Sequence, residues 1–251
     1  MKKTSHREIV ELVTRLGISP GDRIMVHSFL PSLGIVENGL PGLEGALREA
    51  LGPEGTILVP TFTYSFRREE IFDVGNTKST VGAFTEHVRK GAGVVRSTCP
   101  LFSMAGTGPD AARLLERHST ACFGVGSVFE TLFDNDVKFL GLGVDYNQGY
   151  TFFMHLERLA NIPQRKDQTF RGECLDLHGR KYQDEATHFV RVDQPPWTRN
   201  RQRLCERLAS KGVIREFVVD GCAHRLFESG PLQDEVLNAL VQDPWCMADP
   251  A

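Results

Sequence analysis

Thr56-Ile57-Leu58-Val59-Pro60 is apolar without alternation, as a strand is when both faces of its sheet are covered. Such a strand needs helices above and below it, and the chain supplies them. Ser5 with Glu8 matches the S-x-x-E capping box, and Ile9, Leu12, Val13 and Leu16 follow at helical spacing up to Gly17. Arg23 to Val26 reads as a strand that ends at His27-Ser28 and the loop Phe29 to Gly34. Leu40, Leu43, Leu47 and Leu51 stripe the next helix, which Gly52-Pro53 stops.

The alternation continues. Tyr64 to Thr80 has no period and is expected as a surface loop. Val81 to Val88 reads as a helix, Leu101 to Ala105 as a third strand, and a helix follows from Pro109. Ser127 with Glu130 repeats the capping box, and Val137 to Leu142 is a fourth strand run. Past Pro163 the texture changes. Thr169 to Leu177 and Ala186 to Val192 read as a hairpin or meander around His178-Gly179-Arg180-Lys181. Arg199 to Lys211 is expected as a helix, Val213 to Val219 and Ala223 to Phe227 as strands either side of Gly221. Leu232, Val236, Leu237, Leu240 and Val241 stripe a last helix before a Pro/Asp/Ala tail. The expected class is α/β, with a mostly parallel central sheet flanked by helices and an added antiparallel β region in the C-terminal part. One domain is expected over residues 1–251.

Composition removes several functions. Formal charge is 29 − 32 = −3 with the signs interleaved, so no nucleic acid or acidic membrane surface is expected as a partner. The N-terminal lysines lack an apolar h-region, and Phe139 to Val144 is far too short to cross a bilayer. Cys99, Cys122, Cys174, Cys205, Cys222 and Cys246 form no C-x-x-C pair, which suits reduced thiols in a cytoplasm and no metal site.

Gly106-Thr107-Gly108-Pro109-Asp110-Ala111 fits G-x-G-x-x-A, but it lies mid-chain and no strand-end acid follows, which favours a tight strand-to-helix turn. Gly124 to Val128 misses the G-x-S-x-G spacing of serine hydrolases, and Ser127 serves better as a helix cap. Cys99, near Arg96, is the best nucleophile candidate, since positive charge favours thiolate; a buried inert thiol is the competing reading. His27 ends a strand where ligands collect in open α/β sheets. His155 sits among Phe152, Phe153, Met154 and Leu156, and is either a proton-transfer group or a core histidine held by a backbone partner.

Read together, the pieces resemble one family. Met25 to Gly34 resembles the MVHSSLSSLG signature of the aminoglycoside 3-N-acetyltransferase family, and Gly52 to Thr63 is similar to its GPEGTLVMPTFT. Thr80 to Glu86 resembles S-x-VGALTE, Arg96-Ser97 with Pro100 and Ser103 resembles RS-x-x-P-x-x-S, and Thr151 to Glu157 resembles the T-x-x-H-x-x-E region. Gly221 through Arg225-Leu226 is similar to the C-terminal G-x-x-x-x-RL. The resemblance implies transfer of an acetyl group from acetyl-CoA, as co-substrate, to the amine of an aminoglycoside, amino sugar or biosynthetic intermediate. It places Ser28, Phe29, Leu30, Ser32, Leu33 and Gly34 along the CoA arm, with Val81, Gly82, Arg96 and Ser103 lining the same cofactor. The partner expected is a small-molecule amine; a homodimer is left open.

By the same resemblance His155 would be the general base and Glu157 its supporting carboxylate. The register differs, however: aligning Thr151 and Glu157 puts Met154 where histidine belongs. On a helix His155 and Glu157 would point about 200° apart and could not pair directly. Either an irregular turn restores the geometry, or His155 takes another carboxylate, or the machinery has changed. Cys99 stands where members often have histidine, so an acyl-Cys99 intermediate is a second route, and a CoA- or ligand-binding member without chemistry is a third.

Overall fold

The computed structural model describes residues 2–192 and 196–250; Ala251 of the tail lies outside the described residues. Seven strands form the central sheet in the order Ile214–Val219, Cys222–Phe227, Lys138–Leu142, Arg23–Ser28, Thr56–Pro60, Met104–Thr107 and Val95–Arg96. Arg23–Ser28 is central and pairs in parallel with Thr56–Pro60 and Lys138–Leu142. The outer pairings are antiparallel. Five strands therefore run one way, and Cys222–Phe227 and Met104–Thr107 run against them. The reversal at Met104–Thr107 has a simple cause. Only residues 97–103 join it to Val95–Arg96, too few for a crossover, so the pair closes as a hairpin.

Both sheet faces are apolar, as the unalternating strand required. Ile24, Val26, Ile57, Val59, Leu140 and Leu142 face the helices His6–Leu16, Gly39–Leu51 and Ala83–Arg89. Met25, Leu58, Met104, Phe139 and Phe227 face the other layer, which holds the helices Phe152–Leu159 and Ser229–Gln242. Ser5 and Glu8 form the full reciprocal box at the first helix, which ends at Gly17 in the left-handed region. At the second box Ser127 accepts from the Glu130 amide at 3.3 Å, but the Glu130 carboxylate takes the Gly126 amide at 2.8 Å instead of closing the box. The G-x-G-x-x-A segment is a packed turn: a side chain at Gly106 would strike Leu58, and one at Gly108 would strike the Gly55 carbonyl.

The antiparallel region is a long hairpin, Arg165–Leu175 with Lys181–Arg191, in unbroken register from Leu175–Lys181 to Arg165–Arg191. It begins four residues before the expected Thr169. Residues 64–80 are not the plain surface loop expected from their lack of period. They hold a 3-10 turn, Tyr64–Arg68, and a short strand, Phe72–Asp73, beside the hairpin, and they bury Phe66, Phe72 and Val74. Gly172 makes room for this, since a Cβ there would come within 2.9 Å of the Phe66 ring. The helix expected from Arg199 begins at Gln202, because Trp197–Arg199 is a strand pairing with the tail at Ala248–Pro250. Among the described residues no helix is long and apolar enough to cross a membrane.

Candidate active site

The carboxyl ends of the three parallel strands deliver His27, Ser28, Pro60 and Gly143 to the wall of an open cavity of about 1090 Å³. Strand ends are where open α/β sheets take their ligands. The volume is at the top of the range for a single small-molecule site, so two ligands can share it. The opposite contribution comes from the Tyr64–Arg68 turn and the hairpin. Lys166, Gln168 and Phe170 alternate onto the cavity face, opposite His188 and Val190 of the second strand.

The Phe152–Leu159 segment is helical, and that decides where its side chains go. Met154 lines the cavity and His155 does not. His155 is 1% exposed, stacks on Phe133 at 4.9 Å between ring centres, and accepts the Gly124 amide at Nδ1 over 3.1 Å. Burial alone pulls its pKa down to about 4, so it is neutral at physiological pH. Its surroundings are those of a core histidine, and the structure does not bring it together with Glu157. Glu157, three residues after Met154, is buried against two arginines that also line the cavity, Arg165 at 2.6 Å and Arg201 at 3.6 Å.

The expected cofactor residues divide. Ser28, Phe29 and Val81 line the cavity, and Phe29 is 56% exposed beside it. Leu30, Ser32 and Leu33 form the following 3-10 turn, which Ser32 ties to the Phe29 carbonyl at 2.7 Å and Gly34 ends with a positive φ close under the Lys2 carbonyl. Gly82 begins the helix Ala83–Arg89. Arg96 and Ser103 are not in the cavity wall but clamp its supports. Arg96 donates to the carbonyls of Val74, Thr77 and Thr61 at 3.1, 2.6 and 2.9 Å and to Ser103 Oγ at 3.2 Å, and Ser103 donates to the Thr61 carbonyl at 2.7 Å. Cys99 is also outside the wall, 3% exposed, with its Sγ 4.0 Å from that of Cys122. The Cys122 contact lowers its thiol pKa, but Cys99 is not among the residues that line the cavity.

His27 does line the cavity. Its ring packs edge-on to Tyr150 and Phe152, both nitrogens lack a hydrogen-bond partner, and burial pulls its pKa down to about 3. Sequence reasoning missed the rest of the polar wall: Asp145, His188 and a set of cations, Arg67, Arg165, Lys166, Arg199 and Arg201. The signal was present as polar residues on alternate positions of one hairpin face, Lys166 and Gln168 opposite His188, but the cavity that they face comes only with the fold.

Known proteins agree with this architecture. The family model described as aminoglycoside 3-N-acetyltransferase matches residues 25–240. The chain is 30% identical to the aminoglycoside N(3)-acetyltransferase IV of Salmonella sp, over 97% of this chain and 90% of that protein. Among solved structures, it resembles the aminoglycoside acetyltransferase AAC(3)-IIb with a TM-score of 0.82 and 26% identity, covering 97% of this chain and 98% of that one. It also matches AAC-IIIb in its binary complex with CoASH, with a TM-score of 0.83 and 19% identity, covering 96% and 97%, a likeness of fold.

Proposed function

The chain belongs to the aminoglycoside 3-N-acetyltransferase family, a family of N-acetyltransferases, and on that premise we propose that it moves an acetyl group from acetyl-CoA directly to the amine of a small acceptor. One observation carries the reading: a single cavity is walled both by Ser28, Phe29 and Val81, which the family resemblance gives to CoA, and by a separate hairpin that can hold the acceptor. The CoA-bound relative of the same fold supports the first half. In this reading Ser28 to Gly34 hold the thioester arm, with Arg96 and Ser103 fixing the segments behind it. The amine nitrogen bonds to the carbonyl carbon, the carbon–sulfur bond breaks, and the CoA thiolate leaves and takes a proton from water.

The amine must shed a proton before or during attack. By the family resemblance Met154 stands where histidine belongs; its side chain lines the cavity, and a thioether accepts no proton at neutral pH. His155 faces the core and Cys99 lies outside the wall, which supports a reading in which neither serves as base or nucleophile. The acceptor therefore attacks as the free amine, its proton going to solvent through the open cavity. On this reading kcat/KM keeps rising with pH toward the acceptor's own amine pKa, about 8 to 10. A histidine base would instead level the profile above about pH 7. Calorimetry with CoA, followed by thiol release from acetyl-CoA with and without an amine between pH 6 and 9.5, tests it. Failure of CoA to bind or to raise the melting temperature would sink the proposal, and a plateau near neutrality would return a histidine to the mechanism.

Met154 also favours a second reading, a family member that binds CoA and ligand without chemistry. That reading expects CoA binding with no thiol release across a broad amine panel.

A further inference from the structure

The cavity carries a charge that the chain as a whole does not. Formal net charge is −3, yet Arg67, Arg165, Lys166, Arg199 and Arg201 all line the wall, and Asp145 is the one carboxylate among the described lining residues. Glu157 lies behind the wall and serves both Arg165 and Arg201. Among the described residues, no carboxylate lies within ion-pair distance of Arg67, Lys166 or Arg199, and Arg67 meets His188 Nδ1 at 2.6 Å. Arg201 is 1% exposed, and its Nε and Nη2 have no hydrogen-bond partner. Glu157 offsets part of this buried charge at 3.6 Å but is shared with Arg165 and makes no hydrogen bond to these two donors, which leaves them open to an anion in the cavity. Surface charge scatter does not explain it.

These cations also come from particular elements. Arg67 is on the Tyr64–Arg68 turn, Arg165 and Lys166 on the hairpin, and Arg199 and Arg201 on and after the Trp197–Arg199 strand. None belongs to Ser28 to Gly34 or to Val81-Gly82, the segments assigned to the CoA arm. A concave wall of one sign focuses its field on whatever enters, and it repels a molecule carrying several ammonium groups. Guanidinium groups match phosphate and carboxylate oxygens in fixed fork geometry.

We propose that the acceptor is an anionic amine, one bearing a phosphate or carboxylate besides its amino group, and that Arg67, Lys166, Arg199 and Arg201 hold the anion while Asp145 meets the amine end. The inference rests on the acyl-transfer reading for the word acceptor, but the anion site stands on the cavity itself. It departs from the polycationic aminoglycosides named for the relatives, and the departure occurs in the same chain that has Met154 in place of the base.

The phosphates of CoA are the other source of negative charge, so the test has separate arms. CoA affinity is measured by calorimetry in the native protein and in a Lys166→Glu, Arg199→Glu double variant; both side chains are exposed, and a melting curve checks that the variant folds. CoA-saturated protein is then titrated with inorganic pyrophosphate. Acetyl transfer is compared for glucosamine 6-phosphate, glucosamine and kanamycin. The expected result is pyrophosphate binding to the CoA-loaded native protein that weakens with salt and falls tenfold or more in the double variant, with CoA affinity changed less than threefold. Among acceptors, glucosamine 6-phosphate should exceed glucosamine in binding or turnover, and kanamycin should be last. Equal or better binding of kanamycin overturns the proposal, as does absence of pyrophosphate binding. Loss of CoA affinity with unchanged acceptor order also overturns it, because the cations would then serve the CoA phosphates. Failure of CoA to bind at all defeats the acyl-transfer reading, while pyrophosphate binding to the CoA-free protein would still report the anion site.

Discussion

Met154→His is expected to raise kcat/KM by about a hundredfold, the lower end of what a positioned general base contributes. The substitution would put an imidazole on the cavity wall three residues before Glu157, on the same helical face. Glu157 has lone pairs to spare beyond Arg165 and Arg201, so it can orient the new ring. The pH profile should at the same time level off near neutrality; an unchanged rate and profile would mean that the wall at Met154 is not beside the reacting atoms. His155→Ala is expected to do the opposite. It leaves the Gly124 amide without its acceptor and opens a void against Phe133, at a cost of about 2–4 kcal/mol, while turnover per folded molecule stays the same. A hundredfold loss of kcat at an unaltered melting temperature would make His155 the base after all. The one-residue shift was legible in the sequence as a conflict between pattern and spacing. Which side of the helix meets the cavity was not, because both faces of that segment are apolar enough to be core.

At the scale of elements, most strands and helices up to Leu142 were legible because each carries its own signal, an apolar run, a stripe or a capping serine. The third strand, expected at Leu101 to Ala105, is Met104–Thr107, and its two-residue partner Val95–Arg96 is too short to carry a signal. The Tyr64–Arg68 turn and the full length of the hairpin were not, because what fixes them is a partner far away in sequence. Phe66 needs the missing side chain of Gly172, and Arg165 to Gln168 are polar residues that become strand only through their register with His188 to Arg191. The same kind of distant fit places Tyr150, which walls the cavity, packs on His27 and donates to the Val144 carbonyl at 3.0 Å. Its hydroxyl sits over Gly141 of the Lys138–Leu142 strand, where any Cβ would overlap the ring. Gly141→Ala is therefore expected to cost about 1–3 kcal/mol as overpacking, since a buried Tyr150 cannot swing aside. It should also weaken CoA binding severalfold by displacing Tyr150 into the cavity. A melting temperature within a degree of the native value would show that the ring has room that the structure does not give it.

At the scale of the whole molecule, four buried histidines make stability depend on pH in a way that the overall charge of −3 does not suggest. His27 and His188 are held at about 3 and His155 and His224 at about 4, in each case chiefly by burial, with nearby arginines adding at His188 and Lys2 and Arg225 adding at His224. Unfolded histidine titrates near 6.5, so between that value and the folded ones the unfolded chain binds more protons than the folded one. Stability is therefore complete above about pH 7 and is lost as the pH falls. Each histidine costs up to about 1.4 kcal/mol per pH unit. Four together approach about 5 kcal/mol per unit, against a usual total of about 5–15 kcal/mol. The depressed carboxylates act later. Glu86, held down to about 2 chiefly by its bond to Arg89, keeps its contribution above its unfolded value near 4.5 and loses it only below that. The melting temperature should thus be flat above pH 7 and fall steeply between about pH 6.5 and 4.5, before carboxylates such as Glu86 begin to protonate. His224→Gln takes one proton out of the transition and should reduce that slope by about a quarter. A melting temperature unchanged between pH 7 and 5 would mean that these histidines, His27 in the cavity wall among them, are solvated in the folded protein.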